Sequence, residues 1–201
     1  MKKNLFITLI ISALGALTFF FYERSQAPSR VYEIGESLDS LNHVVVYYNG
    51  GMGNVSGRNT SPDGYNIGLK YQCVEFVKRY YYEHYKHKMP NAYGNAIDFF
   101  DKRLVDGQLN AERDLIQYTN PSKSKPKVGD LIIMDATFSN EYGHVVIVSK
   151  VTTDEVEIIQ QNAGNPDHPR DVFDLDFDEG NWEIDNGRIL GWLRMRKSDG
   201  L

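Results

Sequence analysis

The chain is poor in cysteine, with Cys73 as its only one among 201 residues. This excludes an internal disulfide framework, a cysteine-rich zinc site and an iron–sulfur centre. Basic residues are also in the minority, with 22 Lys and Arg against 27 Asp and Glu and a net charge of -5. A nucleic-acid partner is therefore not expected, because phosphate binding needs an excess of basic side chains. The 41% hydrophobic content nevertheless supplies enough apolar surface for a globular domain.

An apolar segment at residues 5–22 follows Lys2 and Lys3. It is longer than the roughly 7 to 15 residues of a signal-peptide core and close to the roughly 18 to 20 residues that span a bilayer. The segment predicts a membrane anchor or a signal peptide cleaved after Ala27, and its length favours the anchor. The basic N-terminus places the rest of the chain on the extracytoplasmic side, periplasmic or cell-wall facing. The predicted divisions are residues 1–27 as signal or anchor, 28–43 as linker and 44–201 as the folded domain.

Apolar residues three and four positions apart predict an amphipathic helix over residues 71–87, with one buried face. Glu75 and Arg79 lie four positions apart, and we expect them to pair on the outer face as a weak stabiliser. Residues 96–104 are predicted as a second helix. Residues 49–70, rich in Gly, Asn, Ser and Pro, are predicted as a loop.

Short runs of β-branched residues predict the strands of a sheet. The predicted strands cover residues 44–48, 131–134, 145–151, 156–161 and 189–195. Residues 152–155 suit the turn of a hairpin between the third and fourth of these strands. A helix followed by antiparallel strands indicates an α+β domain.

Cys73 falls in the first turn of the predicted helix. The positive end of the helix dipole favours a thiolate at this position, which predicts a lowered thiol pKa. The alternative is an inert core residue, since a lone cysteine often serves as a small hydrophobe. A cysteine nucleophile needs an imidazole that takes its proton and a polar group that orients the imidazole.

Several histidines compete for the role of that imidazole. They are His43, His84, His87, His144 and His168. His144 follows Gly143 and opens a strand, so its side chain emerges where the apolar row of the strand ends. His84 and His87 are about three and four turns from Cys73 along the same helix and cannot reach it. Their spacing suits a metal, but no third ligand is evident, and we predict neither a metal nor a cofactor.

The strand after the hairpin ends in amide side chains. Val156, Ile158, Gln160 and Asn162 share one face of this strand by its period of two. Counting outward from the turn brings Gln160 and Asn162 towards His144. The amides are candidates to orient the imidazole, and the alternative is hydrogen bonding to the backbone at the strand end.

A set of short strings occurs in a characteristic order. The strings are Tyr-Gln-Cys-Val-Glu-Phe at 71–76, Gly-Asp-Leu-Ile at 129–132, Gly-His-Val-Val-Ile at 143–147, Gln-Asn at 161–162 and Leu-Gly-Trp at 190–192. Together they resemble the CHAP family of cysteine, histidine-dependent amidohydrolases/peptidases, and within it the amidase domains of the bifunctional glutathionylspermidine synthetase/amidase type. The resemblance covers about residues 44–196.

The resemblance implies a papain-like α+β fold of the NlpC/P60-CHAP type. It implies that Cys73 is the nucleophile and that His144 acts as general base and then acid, with Gln160 as the third catalytic residue. Amide hydrolysis through a thioester, without a metal, follows from the same resemblance. Gln72 and Asn162 are expected to bind the substrate or its oxyanion.

Two features depart from the family pattern. The glutathionylspermidine amidases carry Glu where this chain has Gln160; an amide can hold an imidazole but cannot neutralise an imidazolium. Lower activity or none is the expected consequence. The second departure is that an export segment stands in place of the synthetase half. Glutathionylspermidine is a cytoplasmic metabolite, whereas an exported amidase meets the peptide stems of the cell wall.

The sequence therefore predicts an exported or membrane-anchored cysteine amidase or peptidase. Peptidoglycan peptides are the first candidate substrate, and glutathionylspermidine-like conjugates are the second. The N-terminal segment is the predicted contact with the membrane. A catalytically silent CHAP-like module that binds wall peptides or a protein partner is the alternative from a different class.

Overall fold

The structure, a computed structural model, describes residues 30–196 of the chain. Of these, residues 32–196 belong to one compact unit. The apolar segment at residues 5–22 and the cleavage position after Ala27 lie outside the described residues, so their assignment stays a prediction. No helix between residues 30 and 196 is both long enough and apolar enough to span a membrane.

Antiparallel strands make up most of the described domain. In chain order they are β1 (Ser37–Leu41), β2 (Val44–Tyr47), β3 (Arg58–Thr60), β4 (Asn66–Leu69), β5 (Gln108–Asn110), β6 (Leu115–Thr119), β7 (Leu131–Met134), β8 (His144–Val151), β9 (Glu155–Ile159), β10 (Arg170–Asp178), β11 (Asn181–Ile184) and β12 (Ile189–Met195). In the described part of the chain, eight of them form one sheet in the order β11-β10-β9-β8-β7-β12-β6-β5. Strands β1 and β2 form one separate ribbon, and β3 and β4 form another.

Helix α1 spans Cys73–His84 and packs against β8, β4 and β2. The predicted helix over residues 71–87 is confirmed, with its first residue at Cys73. The second predicted helix, residues 96–104, is wrong beyond one 3-10 turn at Ile97–Phe99. Phe100 is already extended after that turn.

The alternation of side chains along β7 and β8 separates two apolar layers. Ile133 and Val145 belong to the layer that contains the buried side chains of α1. Ile132 and Val146 belong to the layer on the opposite face of the sheet. Because both faces of these strands are covered, their sequences are continuous apolar runs. One helix on a large antiparallel sheet confirms the predicted α+β class for the described residues.

The segment predicted as a loop, residues 49–70, contains the ribbon of β3 and β4. Gly68 in β4 has a φ of 143°, and a Cβ there would lie 3.0 Å from the Glu75 Cα. The ribbon therefore packs directly on the first turn of α1, and glycine permits the close approach. The polar composition of this segment hid the two short strands.

Candidate active site

Cys73 is the first residue of α1, immediately after Gln72 at the N-cap. Its side chain is partly exposed. Burial raises the pKa of the Cys73 thiol, although the backbone N–H groups of Val145, Val74 and Cys73 itself act in the opposite direction. The expected lowering of the thiol pKa is therefore wrong. Desolvation of the thiolate outweighs its stabilisation by the N-terminal end of the helix dipole, so the thiol is protonated at neutral pH.

His144 is the first residue of β8, and the residue before it has to be glycine. Gly143 has a φ of 69°, and a Cβ at this position would lie 2.7 Å from the carbonyl oxygen of Met134. Opposite His144 in the β7–β8 pair is Met134, so the turn at Gly143 places the histidine at the end of this strand pair. The Gly-His string thus fixes the backbone position from which the imidazole side chain extends.

His144 Nε2 lies 3.0 Å from Gln160 Oε1. The register explains this contact: Ile147 pairs with Ile159, which puts Gln160 one step past β9 and diagonal to His144 on the same face. The amide oxygen is an acceptor, so Nε2 carries the ring proton and donates it. Nδ1 is left with its lone pair and can accept a proton.

Burial lowers the pKa of His144 to about 4. The hydrogen bond from His144 to Gln160 acts in the raising direction, and the positive charge of Arg188 lowers the pKa further. The imidazole is therefore neutral at neutral pH. Since the thiol in the same cleft is protonated, the site starts from the uncharged Cys73 and His144 and not from an ion pair.

Cys73 and His144 line the same cleft, which has a volume of about 980 Å³. Among residues 30–196, no hydrogen bond joins the Cys73 sulfur to the His144 ring. The ring Nε2 bonds to Gln160 instead. Large exposed apolar side chains surround the opening. They are Met52, Val55, Tyr93, Phe138 and Tyr142. An open cleft with an apolar rim suits a ligand that is larger than a single amino acid.

The other four histidines do not line this cleft. His84 Nε2 lies 3.2 Å from the amide nitrogen of Asn42, and His87 Nε2 lies 2.9 Å from the carbonyl oxygen of Arg113. His43 and His168 are exposed elsewhere on the surface. In the described part of the chain, His, Cys, Asp and Glu form no group of three or more suited to a metal ion.

Gln72 and Asn162 also line the cleft, but their amides bind each other and the neighbouring loop. Asn162 Nδ2 donates to Gln72 Oε1 at 2.6 Å and to the Met52 carbonyl at 3.0 Å. Gln72 Nε2 donates to the Asn54 carbonyl at 2.7 Å. Asn162 has a φ of 62°, which breaks the alternation of side chains that β9 would otherwise continue. Of the two predicted amides, Gln160 is therefore the one that contacts the imidazole.

A buried polar network fastens the first turn of α1 to the end of β9. Gln161 Nε2 donates to the Gln72 carbonyl at 3.0 Å and to Glu75 Oε2 at 3.1 Å. Arg79 Nε donates to Glu75 Oε1 at 2.7 Å, and Asn59 donates to the same oxygen. These contacts hold Cys73 and Gln160 in a fixed relation, because they join the residues directly beside them.

Glu75 and Arg79 were expected to pair on the outer face of the helix, and that position is wrong. The pair forms, but Glu75 is 2% exposed and Arg79 6% exposed. The two-stranded ribbons cover the sides of α1 that the sheet does not, so charged residues on those sides are buried. Only Glu75 belongs to the Tyr-Gln-Cys-Val-Glu-Phe string, and Arg79 lies beyond it.

The Gly-Asp string serves the framework of the site. Asp130 is buried, and its carboxylate accepts hydrogen bonds from Arg194 on β12, the shorter of 2.6 Å, and from the Lys127 N–H at 2.8 Å. Gly191 in the Leu-Gly-Trp string lies on the same strand β12, where a Cβ would come 2.0 Å from the Tyr118 carbonyl. The Gly-Asp string leads into β7, which pairs with β8, and the Leu-Gly-Trp string lies on β12, which pairs with β7. Neither string lines the cleft.

Comparison with known proteins agrees with this arrangement. A model of the CHAP domain matches residues 62–162. The match covers half of the chain and includes Cys73, His144 and Gln160. The chain belongs to the CHAP family, as the sequence strings predicted.

Two curated relatives are synthetases. Trypanothione synthetase of Crithidia fasciculata is 32% identical over 120 residues, which are 60% of this chain and 18% of that protein. The bifunctional glutathionylspermidine synthetase/amidase of Escherichia coli (strain K12) is 27% identical over 138 residues, 63% of this chain and 22% of that protein. The chain thus spans about a fifth of the length of the curated relatives it matches.

A solved structure described as the crystal structure of Ly7917 is also similar. The matched region is 26% identical in sequence and covers 38% of this chain and 30% of the Ly7917 chain, with a TM-score of 0.26.

Membership of the CHAP family, shown by the match to residues 62–162, supports an amidohydrolase function.

Proposed function

We propose that the chain is a cysteine amidase or peptidase in which Cys73 attacks an amide carbonyl and His144 transfers the proton. The observation that carries the proposal is the orientation of the imidazole. Nε2 donates to Gln160, so Nδ1 is the free base in a site whose thiol lines the same cleft. The papain-like type of α+β fold is part of this proposal, with one helix that presents the thiol to the start of β8.

The reaction starts from neutral groups. As the Cys73 sulfur forms a bond to the carbonyl carbon, its proton moves to Nδ1 of His144. The carbonyl oxygen becomes an oxyanion, which the free N–H groups at the start of α1 are placed to stabilise. Breakage of the C–N bond releases the amine, which takes the proton from Nδ1, and leaves a thioester on Cys73. Water then attacks the thioester, again giving a proton to Nδ1, and releases the carboxylic acid and the thiol.

Gln160 orients the imidazole without supplying charge. During the attack the ring becomes an imidazolium, and a carboxylate at position 160 would stabilise it where the amide does not. The low pKa of His144 and the raised pKa of Cys73 also disfavour transfer of the thiol proton to the imidazole. The chain should therefore hydrolyse amides more slowly than a variant with Glu at this position.

Peptidoglycan peptides are the proposed substrate, and glutathionylspermidine-like conjugates are the second choice. The apolar segment at residues 5–22 supports export, and an exported or membrane-anchored amidase encounters the peptides of the cell wall. The E. coli relative is a glutathionylspermidine synthetase/amidase, which supports the second choice. The open cleft with its apolar rim accommodates either peptide.

The test is parallel digestion of purified peptidoglycan and of glutathionylspermidine with the full chain, followed by mass analysis of the products. Cys73→Ala is the matched control. New amine and carboxyl ends in one of the two substrates, absent with Cys73→Ala, are the expected result. The bond that is cut identifies the substrate class.

A catalytically silent CHAP-like module is the second candidate. The observations that favour it are the raised pKa of the Cys73 thiol and the lack of a hydrogen bond from this thiol to His144 among the described residues. For such a module, wall peptides would bind to the parent and to Cys73→Ala with equal affinity and would be recovered uncut. Cleavage of either substrate by the parent would contradict it.

A further inference from the structure

Two cationic side chains line the candidate cleft on the side of α1 beyond Cys73. Lys78 follows Cys73 by five positions on the helix, about 7.5 Å further along its axis. Arg58 lies on β3, which packs with β4 against the same helix. Both cations meet at Asn66: its Oδ1 accepts from Arg58 at 2.8 Å, and its main-chain oxygen accepts from Lys78 Nζ.

Lys78 is only 1% exposed, although it lines the cleft. Its ammonium donates to the carbonyl oxygens of Asn66 and Ala92, the latter at 2.7 Å, and stands 4.9 Å above the ring of Tyr65. An ammonium has three N–H donors, so one more remains available. Among the residues described, neither Lys78 nor Arg58 forms a salt bridge.

Positive charge is concentrated here although the chain as a whole is acidic. Burial, followed by the neighbouring charges of Arg113 and Arg58, lowers the pKa of Lys78 to about 8. In the described cleft the one carboxylate is Glu141, an exposed residue on the loop that leads to His144. A buried cation without an anionic partner is costly, and an anion bound beside it offsets that cost.

We propose that Lys78 and Arg58 form a subsite for a free carboxylate of the substrate, so that the cleft selects amides with a carboxylate several ångströms from the bond that is cut. The inference rests on the proposed amidase function and narrows its substrate class. Such a carboxylate occurs in peptidoglycan stem peptides, on γ-linked D-glutamate, and in glutathionyl conjugates. The shared chemistry is a peptide with a free α-carboxylate on a γ-linked glutamyl residue.

The experiment compares each substrate with its carboxamide. The pairs are a stem tetrapeptide with γ-D-glutamate or D-isoglutamine, and glutathionylspermidine with its γ-glutamyl carboxylate free or amidated. The full chain should give a kcat/KM at least ~10-fold higher for the free acid in the pair it cleaves, because a carboxylate forms charge-assisted hydrogen bonds with both cations and a carboxamide does not. The pair that shows the preference identifies which source supplies the carboxylate.

Arg58→Gln keeps a hydrogen-bonding group beside Asn66 at an exposed position, so the variant should fold. It should reduce the preference for the free acid towards one, mainly through a higher KM. A folded Lys78→Met variant should show the same reduced preference for the free acid. Lys150→Gln removes an exposed lysine outside the cleft and should leave the preference intact.

Binding to Cys73→Ala, measured by calorimetry with the same pairs, separates the subsite from the amidase function. Tighter binding of the free acid with no turnover by the parent would support the subsite and contradict the amidase function. Equal turnover of acid and amide by the parent would overturn the subsite and leave the amidase function standing. A preference that survives in both Arg58→Gln and Lys78→Met would also overturn it.

Discussion

His144 and Gln160 are joined by a hydrogen bond of 3.0 Å from the ring Nε2 to the side-chain amide oxygen. The bond selects the tautomer that leaves Nδ1 free to accept a proton, and it does so without a negative charge. The Cys73 thiol and this imidazole are both uncharged at neutral pH, since burial raises the pKa of the former and lowers that of the latter.

A carboxylate at position 160 should change this balance. Gln160→Glu should raise the pKa of His144, stabilise the imidazolium, and lower the pKa of Cys73. Iodoacetamide should alkylate Cys73 slowly in the parent at neutral pH, with a rate that rises above pH 9, and faster at neutral pH in Gln160→Glu. The measurement is the alkylation rate against pH for both proteins. An unchanged thiol pKa in Gln160→Glu would show that position 160 is not coupled to Cys73 and His144.

Two further variants serve as matched controls for the orienting residue. Gln160→Ala should impair hydrolysis strongly, because the imidazole loses its partner. Asn162→Ala removes the hydrogen bonds to Gln72 and Met52, and we expect a smaller loss. The reverse order of activities would make Asn162 the orienting residue.

The pKa of His144 makes stability depend on pH. Its pKa is about 4 in the folded chain and roughly 6.5 in an unfolded chain, so the unfolded chain binds more protons between these values. The free energy of unfolding should therefore fall as the pH drops from about 6.5 towards 4. Denaturant titrations at pH 7 and pH 4.5 should show a smaller fall for His144→Gln than for the parent. His168→Gln, at an exposed histidine, should behave as the parent does, and equal falls in all three would contradict the account.

The buried ion pair in α1 should be costly to break. Arg79→Met leaves the Glu75 carboxylate buried with only amide partners, and loss of one member of such a pair costs roughly 3–5 kcal/mol. Arg103→Gln, which removes the exposed partner of Asp101, should leave the free energy of unfolding nearly unchanged. Denaturant unfolding measures both. A comparable small effect in the two variants would place the Glu75–Arg79 pair at the surface.

Gly143→Ala tests the turn that positions His144. The φ of 69° and the 2.7 Å approach to the Met134 carbonyl predict a loss of stability of at least ~1–2 kcal/mol, with loss of hydrolysis. Gly187→Ala is the control, since a Cβ there meets nothing within 4 Å. Full activity in Gly143→Ala would show that the imidazole does not depend on this turn.

The sequence predicted the position of a residue correctly where a helical or strand periodicity continued as far as that residue. Period-two counting from the hairpin led to Gln160 beside His144, and the helical spacing led to α1. The same counting extended to Asn162, but its positive φ ends the alternation, and the sequence carries no signal of that backbone angle. Strand β10 was missed because its acidic residues lie exposed and only Leu175 of its nine residues is fully buried.

The burial of Glu75, Arg79 and Lys78 could not be predicted from the helix itself. Each lies on a face of α1 that the sheet leaves open, and the ribbons of β1–β2 and β3–β4 cover those faces. Without knowledge of these ribbons, charged residues on a helix are predicted to be exposed to solvent. Burial also raises the pKa of the Cys73 thiol, and the position of this residue at the start of the helix gives no signal of that burial.

The central claim is that Cys73 forms a thioester with the acyl part of its substrate. The most direct measurement is rapid quenching of the full chain during digestion of a peptidoglycan stem peptide or of glutathionylspermidine, followed by intact and peptide mass analysis. The account predicts an acyl adduct on the peptide that contains Cys73, formed and lost in step with product and cleaved by hydroxylamine. Product formation by a folded Cys73→Ala variant, or the lack of both adduct and product with the parent, would contradict it.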